Sequence, residues 1–166
     1  QVPLYNHDQL AKKDLHYFLS ASNGKGHGTH SPFVFDFIKH VLGDKKHYDC
    51  YTVIENQRQK LKANSSLIEV EDFGAGSTVI KSNKRIIKDI ANSSLKPKKY
   101  AQLLFRMVQY YKPASILELG TSLGITSSYL SVGNKNAKLY TCEGSPNIAA
   151  IAQETFDSLQ IRNIEM

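Results

Sequence analysis

Cysteine, long apolar runs and late histidines are what this sequence of 166 residues lacks. Its two cysteines, Cys50 and Cys142, stand 92 positions apart. They make neither a disulfide framework nor a CxxC metal or redox pair, and read as buried thiols of a reducing, cytoplasmic compartment. No stretch approaches the roughly 18 consecutive apolar residues of a spanning helix, so no membrane partner is expected. The N-terminus has no basic-then-apolar leader pattern, although a chain that starts at Gln1 leaves earlier residues open. No histidine follows His47. His27 and His30, in the loop Gly24–His30, have no third donor nearby, whereas zinc needs three or four, so no metal is expected. With 10 Gly, 5 Pro and 10% aromatic residues, the composition excludes disorder and fibrous repeats.

Acidic residues are scarce in one place. The formal charge is +6, from 21 Lys and Arg against 15 Asp and Glu. Between Val79 and Tyr100 the basic residues are Lys81, Lys84, Arg85, Lys88, Lys96, Lys98 and Lys99, against Asp89 alone. A solvated lysine-rich face accounts for such a segment. It can also raise the local potential and attract an anionic partner, RNA included. The absence of aromatics from Val79 to Lys99 removes a stacking platform for single strands.

Hydrophobic periodicity divides the chain into halves. Leu10, Leu15, Phe18 and Leu19 predict a helix over Asp8–Ser20. After the loop Ser22–His30, Ser31 predicts an N-cap with Pro32 at the first helical position, and Phe33, Val34, Phe37, Ile38 and Val41 supply an apolar face before Gly43. A further helix is expected from Lys46 to Ala63. Glu71–Ser77 contains an acid followed by a GxG turn. The alternating charges of Glu69 and Glu71 before it make a poor central strand, so a loop over a site or a helix-connecting turn is expected there. A basic helix over Lys84–Ala91, a linker Ser94–Pro97, and a helix Pro97–Tyr110 with Leu103, Leu104, Met107 and Val108 inward complete this half.

From Lys112 the pattern becomes strand, turn, helix. Ser115–Leu119 predicts a short buried strand and Gly120–Gly124 a tight turn, with a helix from Ile125 to Val132. Ala137–Glu143 predicts a second strand and Gly144-Ser145-Pro146 the cap of a helix Asn147–Leu159; Ile161–Met166 reads as the opening of a third strand. This βαβαβ order implies an α/β fold with a mostly parallel sheet and right-handed crossovers. Ligands of such sheets bind beyond the carboxyl ends of the strands, where Glu118, Gly120 and Gly124 lie and where backbone N–H groups at a helix start can take a polar or anionic group. Glu143 follows Gly120 by 23 residues, near the spacing at which a carboxylate receives ribose hydroxyls.

Gly120-Thr121-Ser122-Leu123-Gly124 also matches the GxSxG of an esterase nucleophile elbow, with Ser122 as nucleophile; no histidine follows His47 in these 166 residues, so this serine-hydrolase alternative would need one beyond them. A nicotinamide dinucleotide site would want GxGxxG, and its second and third glycines are missing. A non-enzymatic module that binds nucleic acid through residues 79–100 is the alternative from a different class.

Ile116 to Thr126 resembles the first cofactor motif of class I S-adenosylmethionine-dependent methyltransferases, most closely their small-molecule O-methyltransferase branch. The broad family alternates three glycines after an acid; Ser122 replaces the middle one, a departure this branch shares. Lys98–Leu104 resembles the helix before the first strand, and Tyr140–Ser145 the second motif. The resemblance covers residues 94–166, with residues 1–93 as a helical cap region. It implies a Rossmann-like domain, S-adenosyl-L-methionine as cofactor, and methyl transfer to a small-molecule hydroxyl. The methionine moiety would lie near Gly120, Thr121 and Ser122, with Glu118 under that end and Gly124 completing the cofactor-binding turn. Glu143, followed by Gly144, would hold the ribose. No residue is assigned as catalytic base. The family sheet has seven strands, so the sequence is expected to be the first part of a longer enzyme, truncated after the third strand begins, weakly active alone, and open to self-association through an exposed sheet edge.

Overall fold

The computed structural model describes Lys12, residues 31–70 and residues 83–166. The helix expected over Asp8–Ser20, the Gly24–His30 loop and the Glu71–Ser77 turn lie outside the described residues. The chain forms two compact units, residues 1–45 and 46–166. In the first, helix α1 spans Pro32–Phe37 and continues as a π-helical turn over Ile38–Leu42 that Gly43 closes. Ser31 caps it as expected, its hydroxyl accepting from the Val34 N–H, and Pro32 occupies a position where no N–H is required.

The second unit begins with α2, Asp49–Ala63. Its Tyr51, with Tyr48 just before it, packs on Phe105 of helix α4 (Lys98–Tyr111), and Tyr51 also meets Tyr129 of helix α5 (Ile125–Gly133) edge-on. Ring pairs at 4.9–5.7 Å between centroids tie the cap helix to the helices of the sheet half.

Strand β1, Leu67–Glu69, pairs antiparallel with β2, Lys84–Ile86, so the residues before the Glu71–Ser77 segment form a short ribbon strand and not a central strand of the parallel sheet. A two-stranded ribbon with one wet face accommodates Glu69 opposite Lys84, which a central parallel strand would not. The basic helix accordingly starts later: α3 spans Ile87–Ser94 rather than Lys84–Ala91. In α4 the fully buried positions are Ala101, Phe105 and Val108, and Leu103, Leu104 and Met107 are only half-buried. The 101/105/108 stripe faces α5, and the small Ala101 permits close approach.

Strands β3 (Ser115–Leu119), β4 (Lys138–Cys142) and β5 (Ile164–Glu165) form a parallel sheet in the order β3-β4-β5. Helices α5 and α6 (Pro146–Ser158) make the two crossovers, and right-handed crossovers taken in one direction lie on one face. Strand β3 is therefore not the buried strand expected. Ile116 packs against Leu104, Val108, Leu130 and Leu139, whereas Leu117 and Leu119 on the opposite face are 69% and 80% exposed. Alternate side chains of a strand point to opposite faces, and α4–α6 cover one of them.

Candidate functional site

The turn from β3 to α5 bends through three left-handed residues in alternation: Gly120 at φ +93°, Ser122 at +50° and Gly124 at +81°. Only glycine enters this region without a steric cost, so Ser122 carries of order 1 kcal/mol of strain. The middle position keeps a glycine-like backbone even though serine occupies it. Gly124 is needed for a second reason. A Cβ there would lie 2.8 Å from Phe156 Cε1 and 3.2 Å from the Ala152 carbonyl, so its absence lets α6 close on the turn. At Gly120 a Cβ would meet nothing within 4 Å; the position opens into space.

The turn is pinned to the end of β4. Gly120 and Thr121 N–H both donate to the Cys142 carbonyl at 3.0 Å, Gly124 N–H donates to the Thr121 carbonyl, and Ser122 N–H donates to Glu143 Oε2 at 2.8 Å. The sequence led us to expect N–H groups of this turn to be open to a polar or anionic ligand. Those of Gly120, Thr121, Ser122 and Gly124 are instead satisfied within the protein, because register places Leu119 beside Cys142 and brings the turn against that strand end.

Two carboxylates sit at the ends of the adjacent strands. Glu118 accepts hydrogen bonds on Oε2 from Ser127 Oγ, on α5, and from Thr141 Oγ1, on β4, at 2.8 Å. Since Thr141 donates its proton to Glu118, the buried Thr121 hydroxyl donates to Thr141 at 2.6 Å. Burial pushes the Glu118 carboxyl above its ordinary range, against the opposing pull of the two hydroxyls and of the Lys96 charge. Glu143 accepts from Ser122 N–H on Oε2 and from Ser145 N–H on Oε1 at 3.1 Å, with Gly144 as the intervening link. Both oxygens of Glu143 are thereby oriented and retain lone pairs for hydroxyl donors.

Two cavities meet here. One, of about 360 Å³, is lined by Glu118, Gly120 and Thr121 together with Leu95 and Lys96. The other, of about 700 Å³, is lined by Glu143, Ile148, Ile90, Leu67 and Arg85. Ser94 and Ser122 wall both, their hydroxyls 2.9 Å apart. The seven expected residues thus gather at one end of the sheet. Sequence reasoning missed Ser127 and Thr141, whose signal was a polar side chain at a core position of a helix and a strand, and Ser94 and Lys96, which read as linker. It also missed that β1, β2 and α3 wall the larger cavity.

Ser122 has Ser94, not an imidazole, beside its hydroxyl. Among the described residues neither His40 nor His47 lines either cavity, and His47 stacks edge-on against Tyr51. Among the described residues the elbow reading finds no base. The described part of the basic segment is spread over β2, α3 and the start of α4, with Lys84, Lys96, Lys98 and Lys99 exposed. No group of three or more metal-ligating side chains occurs among the described residues, and no helix among them is long and apolar enough to cross a membrane.

No family model and no curated protein matches the chain. Among solved structures it is similar to the Streptomyces achromogenes O-methyltransferase TomG, involved in tomaymycin synthesis and crystallised with S-adenosylmethionine. Identity there is 22% over 43% of this chain and 33% of that one, with a TM-score of 0.42. It is also similar to the Podospora anserina methyltransferase PaMTH1 bound to S-adenosylhomocysteine, at 12% identity over 99% of this chain and 50% of that one, with a TM-score of 0.48. The chain spans a third to a half of the length of these two proteins. A likeness of this size is one of partial backbone shape.

Proposed function

We propose that the chain carries the cofactor-binding part of a class I S-adenosylmethionine-dependent methyltransferase that transfers a methyl group to a hydroxyl of a small molecule. The observation that carries this reading is the chemistry left facing the site. Four N–H groups of the glycine turn are bonded internally, while two oriented carboxylates and an open position at Gly120 remain. A dinucleotide brings a pyrophosphate and calls for free N–H donors. A ligand with two ribose hydroxyls, an α-ammonium group and a sulfonium centre calls for acceptors and negative charge, which Glu143 and Glu118 supply. S-adenosylmethionine, when bound, supplies an electrophilic methyl group on a sulfonium sulfur.

In this reading Glu143 accepts from the ribose hydroxyls, and the left-handed turn at Gly120–Ser122 admits the methionine end without a Cβ in its way. Glu118 sets the charge beneath that end, held by Ser127 and Thr141. The larger cavity, with Leu67, Ile90 and Ile148, offers apolar surface for the rest of the cofactor and for an acceptor. Transfer is an in-line displacement. The bound cofactor would supply the methyl group in line with the acceptor oxygen, and the acceptor's hydroxyl proton would pass to a base, a role assigned to no residue of the chain. The protein's task is alignment. Residues 94–166 hold the cofactor in this scheme, and the cap within 1–93 contributes β1, β2 and α3 to the cavity wall. The compartment we propose is the cytoplasm.

Calorimetric titration with S-adenosylhomocysteine tests the reading: binding at one site per chain, weakened by Glu143→Ala, is expected. Absence of binding to the wild-type protein would overturn it. Steep, salt-sensitive binding of RNA without any affinity for this ligand would favour the nucleic-acid module instead.

A further inference from the structure

The cap helix α2 holds a buried arginine that the cofactor reading does not use. Arg58 is 4% exposed. Its Nε donates to Glu55 Oε1 at 3.0 Å, and its Nη1 donates to the main-chain carbonyl of Lys96 at 2.9 Å. The same Glu55 oxygen accepts from Tyr129 Oη at 2.9 Å, and Gln102 donates to that tyrosine. One connected set of hydrogen bonds thereby joins α2, α4, α5 and the Leu95–Pro97 connector.

The connector is where this matters. Ser94, Leu95 and Lys96 line the cavity that contains Glu118 and Gly120, Ser94 meets Ser122, and the Lys96 charge acts on Glu118. The connector is short and ends in Pro97, which has no N–H to anchor it. Leu95 packs on the core that includes Tyr51, Ile54 and Leu61, and the hydrogen bond from the cap helix to the connector is the one from Arg58 to the Lys96 carbonyl. We propose that Arg58 is a positioning residue, which holds the Ser94–Lys96 wall of the site in place through the Lys96 carbonyl, with Glu55 and Tyr129 orienting its guanidinium. A planar fork suits this task because it addresses a carboxylate and a carbonyl in different directions at once; a lysine ammonium can satisfy one of them but not both in that geometry. The role in ligand binding rests on the cofactor reading; the bracing of the connector does not.

Hydrogen–deuterium exchange on the unliganded chain tests the brace directly. Local opening reports its own free energy, so Arg58→Met should speed uptake in a peptide covering residues 92–101 by about tenfold and leave one covering β4 unchanged. Arg58→Lys should give a smaller acceleration, which keeps the test open if the methionine variant folds poorly. Unchanged uptake at 92–101, or equal acceleration there and in β4, overturns the proposal. Titration with S-adenosylhomocysteine supplies the second arm. Affinity should fall in step with the exchange change; exchange that changes without any change in affinity overturns the role in the site. If the wild-type chain binds no S-adenosylhomocysteine, the cofactor reading fails, and exchange alone still decides whether Arg58 braces the connector.

Discussion

The Ser122 amide and the Glu143 carboxylate are joined at 2.8 Å, across the gap between the turn after one strand and the end of its neighbour. The bond fixes the turn in its left-handed conformation and aims a carboxylate at the same time. Conformation of the turn and chemistry of the site are therefore one structural unit.

Removing Glu143 should act on both. In Glu143→Ala the N–H groups of Ser122 and Ser145 lose their acceptor, and hydrogen bonds to a charged group contribute about 1.5–3 kcal/mol each. Affinity for S-adenosylhomocysteine should fall at least about tenfold, and the melting temperature should fall with it. A variant that loses neither would show that the carboxylate is idle.

The two glycines of the turn should respond differently to alanine. At Gly124 a Cβ collides with Phe156 and the Ala152 carbonyl as well as requiring φ +81°, so overpacking adds about 1–3 kcal/mol to the conformational cost. At Gly120 the conformational cost stands alone, since the space is open. Thermal melts should rank Gly124→Ala well below Gly120→Ala, while the latter, with its Cβ in the site, should show the larger loss of affinity relative to its loss of stability. Equal melting temperatures would contradict the packing argument.

Glu118 predicts a pH dependence of unusual sign for a carboxylate. Burial holds its folded pKa above the ordinary value of 4.5, even though Ser127, Thr141 and the Lys96 charge favour the ionised form. The folded chain thus keeps a proton that the unfolded chain releases, and this group's contribution to stability falls as pH rises from about 4.5 through the folded value, then levels off. Urea midpoints measured across that range should show a falling component that Glu118→Gln removes. Affinity for a positively charged ligand should rise over the same interval, because ionised Glu118 attracts it. A profile unchanged by the substitution would remove Glu118 from the explanation.

Helix α4 opens with Lys98 and Lys99 and has no acid in its first turn. Cations at a helix N-terminus oppose the macrodipole. Lys98→Glu should raise the melting temperature slightly at low salt, an effect lost at high salt. If the basic segment draws an anionic acceptor toward the neighbouring cavities, the same substitution should lower the rate of acceptor encounter and flatten its salt dependence. A more stable protein with unaltered salt response would mark the lysines as a solvated face only.

Several elements of both units were legible beforehand because their signals are local. Ser31 and Pro32 start α1, Gly120 and Gly124 sit where the backbone turns left-handed, and Pro146 opens α6. Each depends on the φ preference or capping capacity of the residue itself. The cap was harder to read. Glu69 opposite Lys84 is favourable only once β1 and β2 have paired, so charges that argue against a central parallel strand are compatible with a two-stranded ribbon.

The linear order of residues determined the parallel βαβαβ unit, the left-handed turn and the two carboxylates at its strand ends, because strand period, crossover handedness and glycine's freedom act over short spans. The folded arrangement decided what the turn offers a ligand. Its N–H groups are taken by Cys142, Thr121 and Glu143, acceptors up to 22 residues distant in sequence that parallel pairing brings within 3.1 Å. It also decided that a cap arginine reaches the Lys96 carbonyl and that Leu117 and Leu119 face outward. Those outcomes depend on which groups meet across the fold, and no local preference encodes that.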